Sequence, residues 1–345
     1  MRITNNMLIS NMMRNLNANY GKMDKIQQQM STGKKFQLPS DDPIGVSKSL
    51  KFHTDIAMIE QHKRNLNDGR SWLEATEDSV AQIGDILQRT RELAVRASNG
   101  SNTNEDLIQI SAEIKQLKEQ IVKVGNSTYA GRYLFSGFKT DSPLLDEDGN
   151  YKLTNYKENT TGFTATDTKS LQQSEIIKYN VGIAEDVEIN TIGIRLFGKL
   201  DSSGDMTMSH YTDATVNGYE IDDVNEESNG SGADKSYLVS LFETIENAMD
   251  VDDKETINKS LTWIDDTMDN VLSIRADIGA KVNRLDLSEQ RLEAQSVNFT
   301  ELLSKNEEIN IAEVVMKLKN SENVYRASLS IGAKVIQPTL VDFLR

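Results

Sequence analysis

Ser31-Thr-Gly-Lys34 spaces a hydroxyl and an amine as serine acyl-enzymes do. That chemistry also needs S-D-N and K-T-G strings, and neither occurs in the chain. The four residues read instead as a helix stop, with Gly33 at the left-handed C′ position and Lys34 and Lys35 facing the helix's negative end. Asp146-Glu-Asp-Gly149-Asn has the look of a calcium loop, but aligning Gly149 with the invariant glycine puts Leu144 at the first ligand position and Asn155 where a bidentate Glu is needed. A hairpin turn is expected there. Asp41 and Asp42 pair two carboxylates, yet they precede Pro43 at a helix start, where carboxylates accept from the free amides. His53, His62 and His210 share no spacing that would gather them around a metal. Trp72 and Trp263 sit inside helical series and read as packing. The methionines at 7, 12, 13, 23 and 30 suit either an adaptable contact stripe or ordinary packing. No glycine-rich phosphate loop appears. No catalytic, cofactor-binding or metal site is expected, and the chain does not read as an enzyme.

The composition says what kind of scaffold surrounds these residues. The 345 residues carry 38 Lys and Arg against 53 Asp and Glu, a net charge of −15. Such a balance, with no basic tract, argues against a nucleic-acid partner, since phosphate contacts need clustered cations. No stretch approaches the roughly 18 apolar residues of a membrane span, so no membrane partner is expected. The opening, MRITNNMLIS, lacks the apolar core of a cleaved signal peptide. Without cysteine there are no disulfides, thiolate metal sites or cysteine nucleophiles. Aromatics make up only 6% of the chain and prolines number four, which suits long helices better than a compact enzyme core.

Apolar spacing identifies those helices. Phe52, Ile59, Leu66, Leu73, Val80, Leu87 and Ala94 recur at steps of seven, as do Ile257, Ile264, Val271, Ile278, Leu285, Leu292 and Phe299. Between them Leu107, Ile110, Ile114, Leu117, Ile121 and Val124 alternate steps of three and four. A strict seven-residue repeat belongs to a left-handed coiled coil or extended bundle. As one helix, residues 43–98 would span about 80 Å at 1.5 Å per residue. Asn99 to Asn102 closes that helix, and Thr103 to Asp106 reads as the cap of the next. Tyr129 to Phe138 looks like a β-hairpin. Helix resumes near Lys235 and runs, with a break at Asp250 to Asp253, to about Asn306.

The block 141–240 differs, with a net charge of −12, nine of the 20 glycines and eight of the 21 aromatics. Strand-like runs occur at Tyr151 to Thr154, Glu175 to Asn180 and Val187 to Phe197, and residues 201–233 have the composition of a loop. The two ends are different again: residues 1–40 carry a net charge of +5. Ile9, Met12, Leu16, Met23, Ile26 and Met30 form one stripe, and Ile311, Val315, Leu318, Tyr325, Leu329, Ile336 and Phe343 a second. A lone amphipathic helix is marginal in water unless something buries its stripe. These thirteen residues are therefore the expected subunit interface, pairing with each other or with copies of the chain.

The fold class expected is mainly α: a long coiled-coil or helical-bundle rod built from both chain ends, with an inserted antiparallel β-rich outer domain. The expected division is a terminal helical assembly domain at 1–40 and 306–345, disordered in a free monomer if nothing covers it. A helical rod with a β-hairpin follows at 41–140 and 235–305, and an outer domain at 141–234.

Several strings carry a resemblance. Met1-Arg-Ile-Thr-Asn-Asn-Met7 and Met30-Ser-Thr-Gly-Lys-Lys-Phe-Gln-Leu-Pro-Ser-Asp-Asp-Pro43 are similar to the opening of the flagellin superfamily, and within it of the hook–filament junction (hook-associated protein 3) family. Gly131-Arg-Tyr-Leu-Phe-Ser-Gly137, Ile278-Gly-Ala-Lys-Val-Asn-Arg-Leu285 and the ending Gln337-Pro-Thr-Leu-Val-Asp-Phe-Leu-Arg345 resemble its later segments. One departure is Asn310, in Glu307-Glu-Ile-Asn-Ile-Ala-Glu313, where the family's run is usually acidic. The resemblance implies a structural subunit of the bacterial flagellum, exported through the flagellar type III channel without a cleaved signal peptide and located outside the cell. It implies a ring of copies seated between the first junction protein (hook-associated protein 1) and flagellin, terminal helices lining the channel, and an export chaperone as a further partner.

Rival readings differ in class. Flagellin itself shares the end architecture, although Pro-Ser-Asp-Asp-Pro and the Met-Arg-Ile-Thr start favour the junction family. A type III secretion tip or translocator protein is also helical, acidic and cysteine-free, but is not expected to carry both terminal stripes. An enzyme on a stalk would have only 141–240 in which to place a site.

Overall fold

The computed structural model describes residues 5–99, 102–151, 176–182, 185–198 and 236–335. Seven helices are found among them: α1 Asn5–Thr32, α2 Pro43–Ser98, α3 Asn104–Gly125, α4 Gly193–Phe197, α5 Tyr237–Asp250, α6 Lys254–Glu307 and α7 Ile311–Val335. Two antiparallel strand pairs accompany them, β1 Thr128–Tyr129 with β2 Arg132–Tyr133, and β3 Lys178–Gly182 with β4 Glu185–Glu188. The mainly α expectation holds. None of the described helices is long and apolar enough to cross a membrane. The chain forms two compact units, Met1–Glu60 with Glu293–Arg345, and Gln61–Leu292. Helices α2 and α6 contribute residues to each.

In the unit Gln61–Leu292, the heptad residues of α2 and α6 are buried. Leu66, Leu73, Val80, Leu87 and Ala94 are fully covered, as are Ile257, Ile264 and Leu285. Each of these Leu, Val and Ile side chains contributes roughly 1.5–3 kcal/mol by leaving water. Ion pairs flank the seam and fix an antiparallel register: Arg70 with Asp286 (2.6 Å), Arg275 with Glu77 (2.7 Å) and Arg91 with Asp265 (2.6 Å). Helix α3 packs on α5 and begins at a capping box, the Thr103 hydroxyl accepting from the Asp106 amide while the Asp106 carboxylate accepts from the Thr103 amide. Trp72 stands edge-on to Tyr129 at 6.1 Å and is buried, as packing requires.

Turn chemistry follows the sequence at two places. Ala130 and Gly131 both take positive φ, 50° and 78°, which makes the two-residue β1–β2 connection a type I′ turn. Asp146 to Asn150 is a hairpin turn, with Gly149 at φ 79° and Leu145 bridged to Tyr151. The run Val187 to Phe197 departs from expectation. Strand β4 stops at Glu188, and Gly193 to Phe197 is helical. The reason is a close approach: the Gly193 amide donates to the Phe135 carbonyl at 2.9 Å, and a Cβ at Gly193 would lie 2.3 Å from Leu144. The turn of helix that follows delivers Leu196 and Phe197 into the core, where Phe197 meets Phe135 edge-on at 6.3 Å. The expected strand residues Lys152 to Thr154 and the loop 201–233 lie outside the described residues.

Candidate functional site

The terminal stripes are brought together in the unit Met1–Glu60 with Glu293–Arg345, where α1 packs on α7. Met12 reaches Gly332 and the Tyr20 ring lies 6.3 Å from Tyr325, so the two helices run antiparallel. On α1, Ile9, Met12, Leu16, Met23 and Ile26 are half-buried at steps of three and four, with Asn19 continuing the series. On α7 the matching series is Val314, Leu318, Ser321, Tyr325, Ser328 and Gly332, of which Val314 and Gly332 are buried. Alternation of three and four is coiled-coil spacing, but three of these twelve positions are Ser or Asn. The seam is thin.

Not every residue of the expected interface enters it. Met30, Ile311, Val315 and Leu329 are exposed, Ile311 at 65%. Ile336 and Phe343 lie outside the described residues. The exposed four are joined by Met13, Tyr20, Met316, Val324 and Ile331. At 100° per residue, Ile311, Val315 and Leu329 fall on one shoulder of the α7 seam, and Val324 and Ile331 on the other. The expected C-terminal stripe left out Val314, Val324 and Ile331, because α7 carries apolar residues on more than one face and the stripe followed one. The signal was present in the spacing of 324 and 331.

Polar groups fix where α1 and α7 begin and end. Asn310, the departure from the family's acidic run, caps α7, its side-chain oxygen accepting from Ala312 at 3.1 Å and Glu313 at 3.4 Å. Gly33 closes α1 at φ 72°, its amide donating to Gln29. Lys34 and Lys35 do face a negative helix end, but it is that of α6: Lys35 donates to the Lys305 carbonyl and Lys34 pairs with Glu307 at 2.8 Å. The Glu307 side chain, 10% exposed, also accepts from Ser49 and contacts His53 Nε2 at 3.1 Å. Burial alone would raise its carboxyl, yet the Lys34 hydrogen bond and charge, helped by His53, outweigh that and hold it below the ordinary value. Asp42 accepts from the Ile44 and Gly45 amides as a cap, and Asp41 pairs with Lys25 at 2.9 Å.

The α1–α7 pair is cationic. Helix α1 sets Arg14, Lys22 and Lys25 against Asp24, and α7 sets Lys317, Lys319 and Arg326 against Glu313 and Glu322, in a chain whose net charge is −15. Among the described residues no group of three or more His, Asp or Glu side chains comes together as a metal site. What this surface offers is shape, apolar area and positive charge.

Two helical chain ends that pair with each other, separated in sequence by a helical, partly β stretch, define a flagellin-type protein. Residues 3–140 match the bacterial flagellin N-terminal helical region, and residues 261–344 match the bacterial flagellin C-terminal helical region. The chain belongs to the flagellin superfamily. It is 25% identical to flagellar hook-associated protein 3 of Escherichia coli over 95% of this chain and 96% of that one. It is 24% identical to a flagellin of Clostridium tyrobutyricum over 98% of this chain and all of that one. The fold resembles the crystal structure of flagellar hook-associated protein 3 from Legionella pneumophila, with a TM-score of 0.53 at 18% identity over 74% of this chain and 97% of that one.

Proposed function

We propose that this chain is a structural subunit of the bacterial flagellum that forms the adaptor ring at the hook–filament junction, on which flagellin polymerises. The observation that carries most weight is the α1–α7 pair. Its own seam is closed, and it still presents Ile311, Val315, Leu329, Val324 and Ile331 to solvent. Exposed apolar area of that kind marks an interaction surface. A ring with unlike faces above and below needs heterologous contacts, and two shoulders on one helical pair supply two such faces. The near full-length likeness to hook-associated protein 3 supports the junction position.

In this reading the partners are copies of the chain, the first junction protein (hook-associated protein 1) below and flagellin above, with an export chaperone before assembly. The protein leaves the cell through the flagellar type III channel and resides in the extracellular flagellum. Residues 1–40 and 306–345 form the assembly domain, 41–140 and 235–305 the rod, and 141–234 the outward-facing domain. The protein turns over no substrate. A second reading, flagellin itself, is favoured by the full-length likeness to a filament protein. Gene deletion with electron microscopy separates them. Loss of a junction protein leaves hooks intact while flagellin accumulates in the medium, whereas loss of the filament protein leaves no flagellin to secrete. Copy number gives the same answer, since a ring needs few copies per flagellum.

A further inference from the structure

Between residues 270 and 291, α6 carries seven ionisable side chains, and each turns to a partner in its own unit. Arg275 pairs with Glu77 of α2, and Asp286 and Glu289 with Arg70. Asp277 pairs with Arg195 of α4, while Arg284 and Arg291 meet Glu185 of β4. The Lys281 amine reaches the Asn190 carbonyl at 3.5 Å. These pairings leave a strip without charge facing outward: Leu272, Ala276, Gly279, Asn283, Leu287 and Gln290, at steps of four, three, four, four and three. All six are exposed, Leu272 at 57% and Leu287 at 68%. At 100° per residue they fall within about 80° of arc, on the far side of α6 from the buried Val271, Ile274, Ile278 and Leu285. In the middle of the strip stands Gly279. A Cβ there would meet nothing within 4 Å, and its backbone is helical with no positive φ. Glycine is among the least favourable residues in a helix interior, and no contact among the described residues requires it here.

We propose that this strip is a second contact between copies of the chain, with Gly279 the point where a neighbouring subunit comes closest. The proposal rests on the assembly reading above and adds to it a surface on α6, apart from α1 and α7. Copies of a chain with a net charge of −15 repel one another, so they touch most readily where no charge has to leave water. A nucleic acid or an anionic surface would need cations, and the strip has none. Its size points the same way. Residues 272–290 span roughly 28 Å at 1.5 Å each and a helix is about 10 Å wide. The strip therefore offers on the order of 300 Å², against about 800 Å² per partner in a stable complex. That is too little to hold a free dimer. It suffices between subunits already held side by side, where the effective concentration is high. Contacts around a ring are heterologous, so the strip meets a different face of the next copy.

Photo-crosslinking tests the contact in flagella purified from cells. With p-benzoylphenylalanine in place of Gln290, at the edge of the strip, ultraviolet light should give a band of twice the chain's mass that contains this chain alone. The free full-length chain at micromolar concentration should give none. Crosslinks only to other flagellar proteins, or no crosslink in flagella that contain the chain, would overturn the proposal and leave the junction assignment intact. An equally strong dimer band from the free chain would also overturn it, and a chain absent from flagella would overturn both. Dimer bands from the whole length of the filament would keep the contact and favour the flagellin reading. A second measurement asks whether Gly279 serves the monomer. Gly279→Gln puts a better helix former in open space and should raise the monomer's melting temperature by about 1–4 °C. It should nevertheless cut filaments per cell by about tenfold, because the added side chain overfills the contact. Leu287→Glu should leave melting unchanged, as exposed substitutions usually do, and reduce filaments similarly. A lower melting temperature for Gly279→Gln would place the glycine's role inside the chain, and normal filament numbers with either variant would overturn the contact.

Discussion

Met12 lies across Gly332 so closely that a Cβ on residue 332 would stand 1.8 Å from the Met12 methyl carbon. The glycine is there for close approach and needs no unusual backbone, since its α7 position is helical. One unbranched, adaptable side chain on α1 thus fills the space that α7 leaves open.

Replacing Gly332 with Leu should therefore force Met12 out of the seam and loosen the α1–α7 pair. Overpacking of this kind costs about 1–3 kcal/mol. Adding Met12→Ala should restore much of the loss, because the two changes share one volume. Exchange protection of 5–32 and 311–335 provides the measure. Additive losses in the double variant would show that the two residues do not occupy a common site.

Ile278→Asp or Leu66→Asp should destabilise the unit Gln61–Leu292 by roughly 3–5 kcal/mol, since each places a carboxylate where 0–1% of the residue is exposed. Thermal unfolding followed by circular dichroism reads this directly. An unchanged helical melting transition in either variant would remove the heptad seam from the list of stabilising features.

The Tyr237 phenol gives the same unit an alkaline limit. Burial, with the Asp266 carboxylate adding to it, pushes its pKa from 10.0 up to about 12. A group whose folded value is raised lends stability below its unfolded value and loses it as pH rises through the folded one. Stability should hold to about pH 10 and fall between 10 and 12. Tyr237→Phe should flatten part of that fall and cost about 1 kcal/mol or less at neutral pH, where the Thr267 side chain is the phenol's polar partner. A Phe variant with the same alkaline profile would assign the loss to other groups.

How much of this was legible in the sequence depends on the range of the interaction. The heptads of α2 and α6 were readable because each residue repeats every seven positions and every buried member is apolar. The cap at Thr103 to Asp106 was readable because its hydrogen bonds close within a few residues, and so was a hairpin near Tyr129 to Phe138, although its strands are only Thr128–Tyr129 and Arg132–Tyr133. Helix α4 was not. Ile192-Gly-Ile-Arg-Leu-Phe197 alternates well enough for a strand, and the contact of Gly193 with Phe135 and Leu144 that decides the matter comes from elsewhere in the chain. Glu307 was opaque for the same reason. Nothing near it in sequence says that Lys34, Ser49 and His53 will surround it. The stripes of α1 and α7 were visible, but which members face each other and which face outward depends on the antiparallel register, and no single helix contains that information.

That register leads to the functional prediction. Truncating residues 316–345 removes Leu318, Tyr325 and Gly332, leaving Ile9, Met12, Leu16 and Met23 of α1 with nothing to cover them, while the buried heptads of Gln61–Leu292 are untouched. The truncated chain should fold in that unit and still fail to assemble, so that cells carry bare hooks and release flagellin. Truncation alone cannot separate the seam from its shoulders. The double substitution Val324→Glu with Ile331→Glu does, because both residues are exposed, at 46% and 61%, and lie off the seam. It should leave exchange protection of α1 and α7 in the monomer nearly unchanged, as exposed substitutions usually do. It should nevertheless abolish filament growth, because two carboxylates would enter an apolar contact made only between subunits. Normal filaments on cells carrying the truncated protein would refute the assignment of these helices to assembly. Normal filaments with the double variant would confine the contact to the other shoulder, at Ile311, Val315 and Leu329.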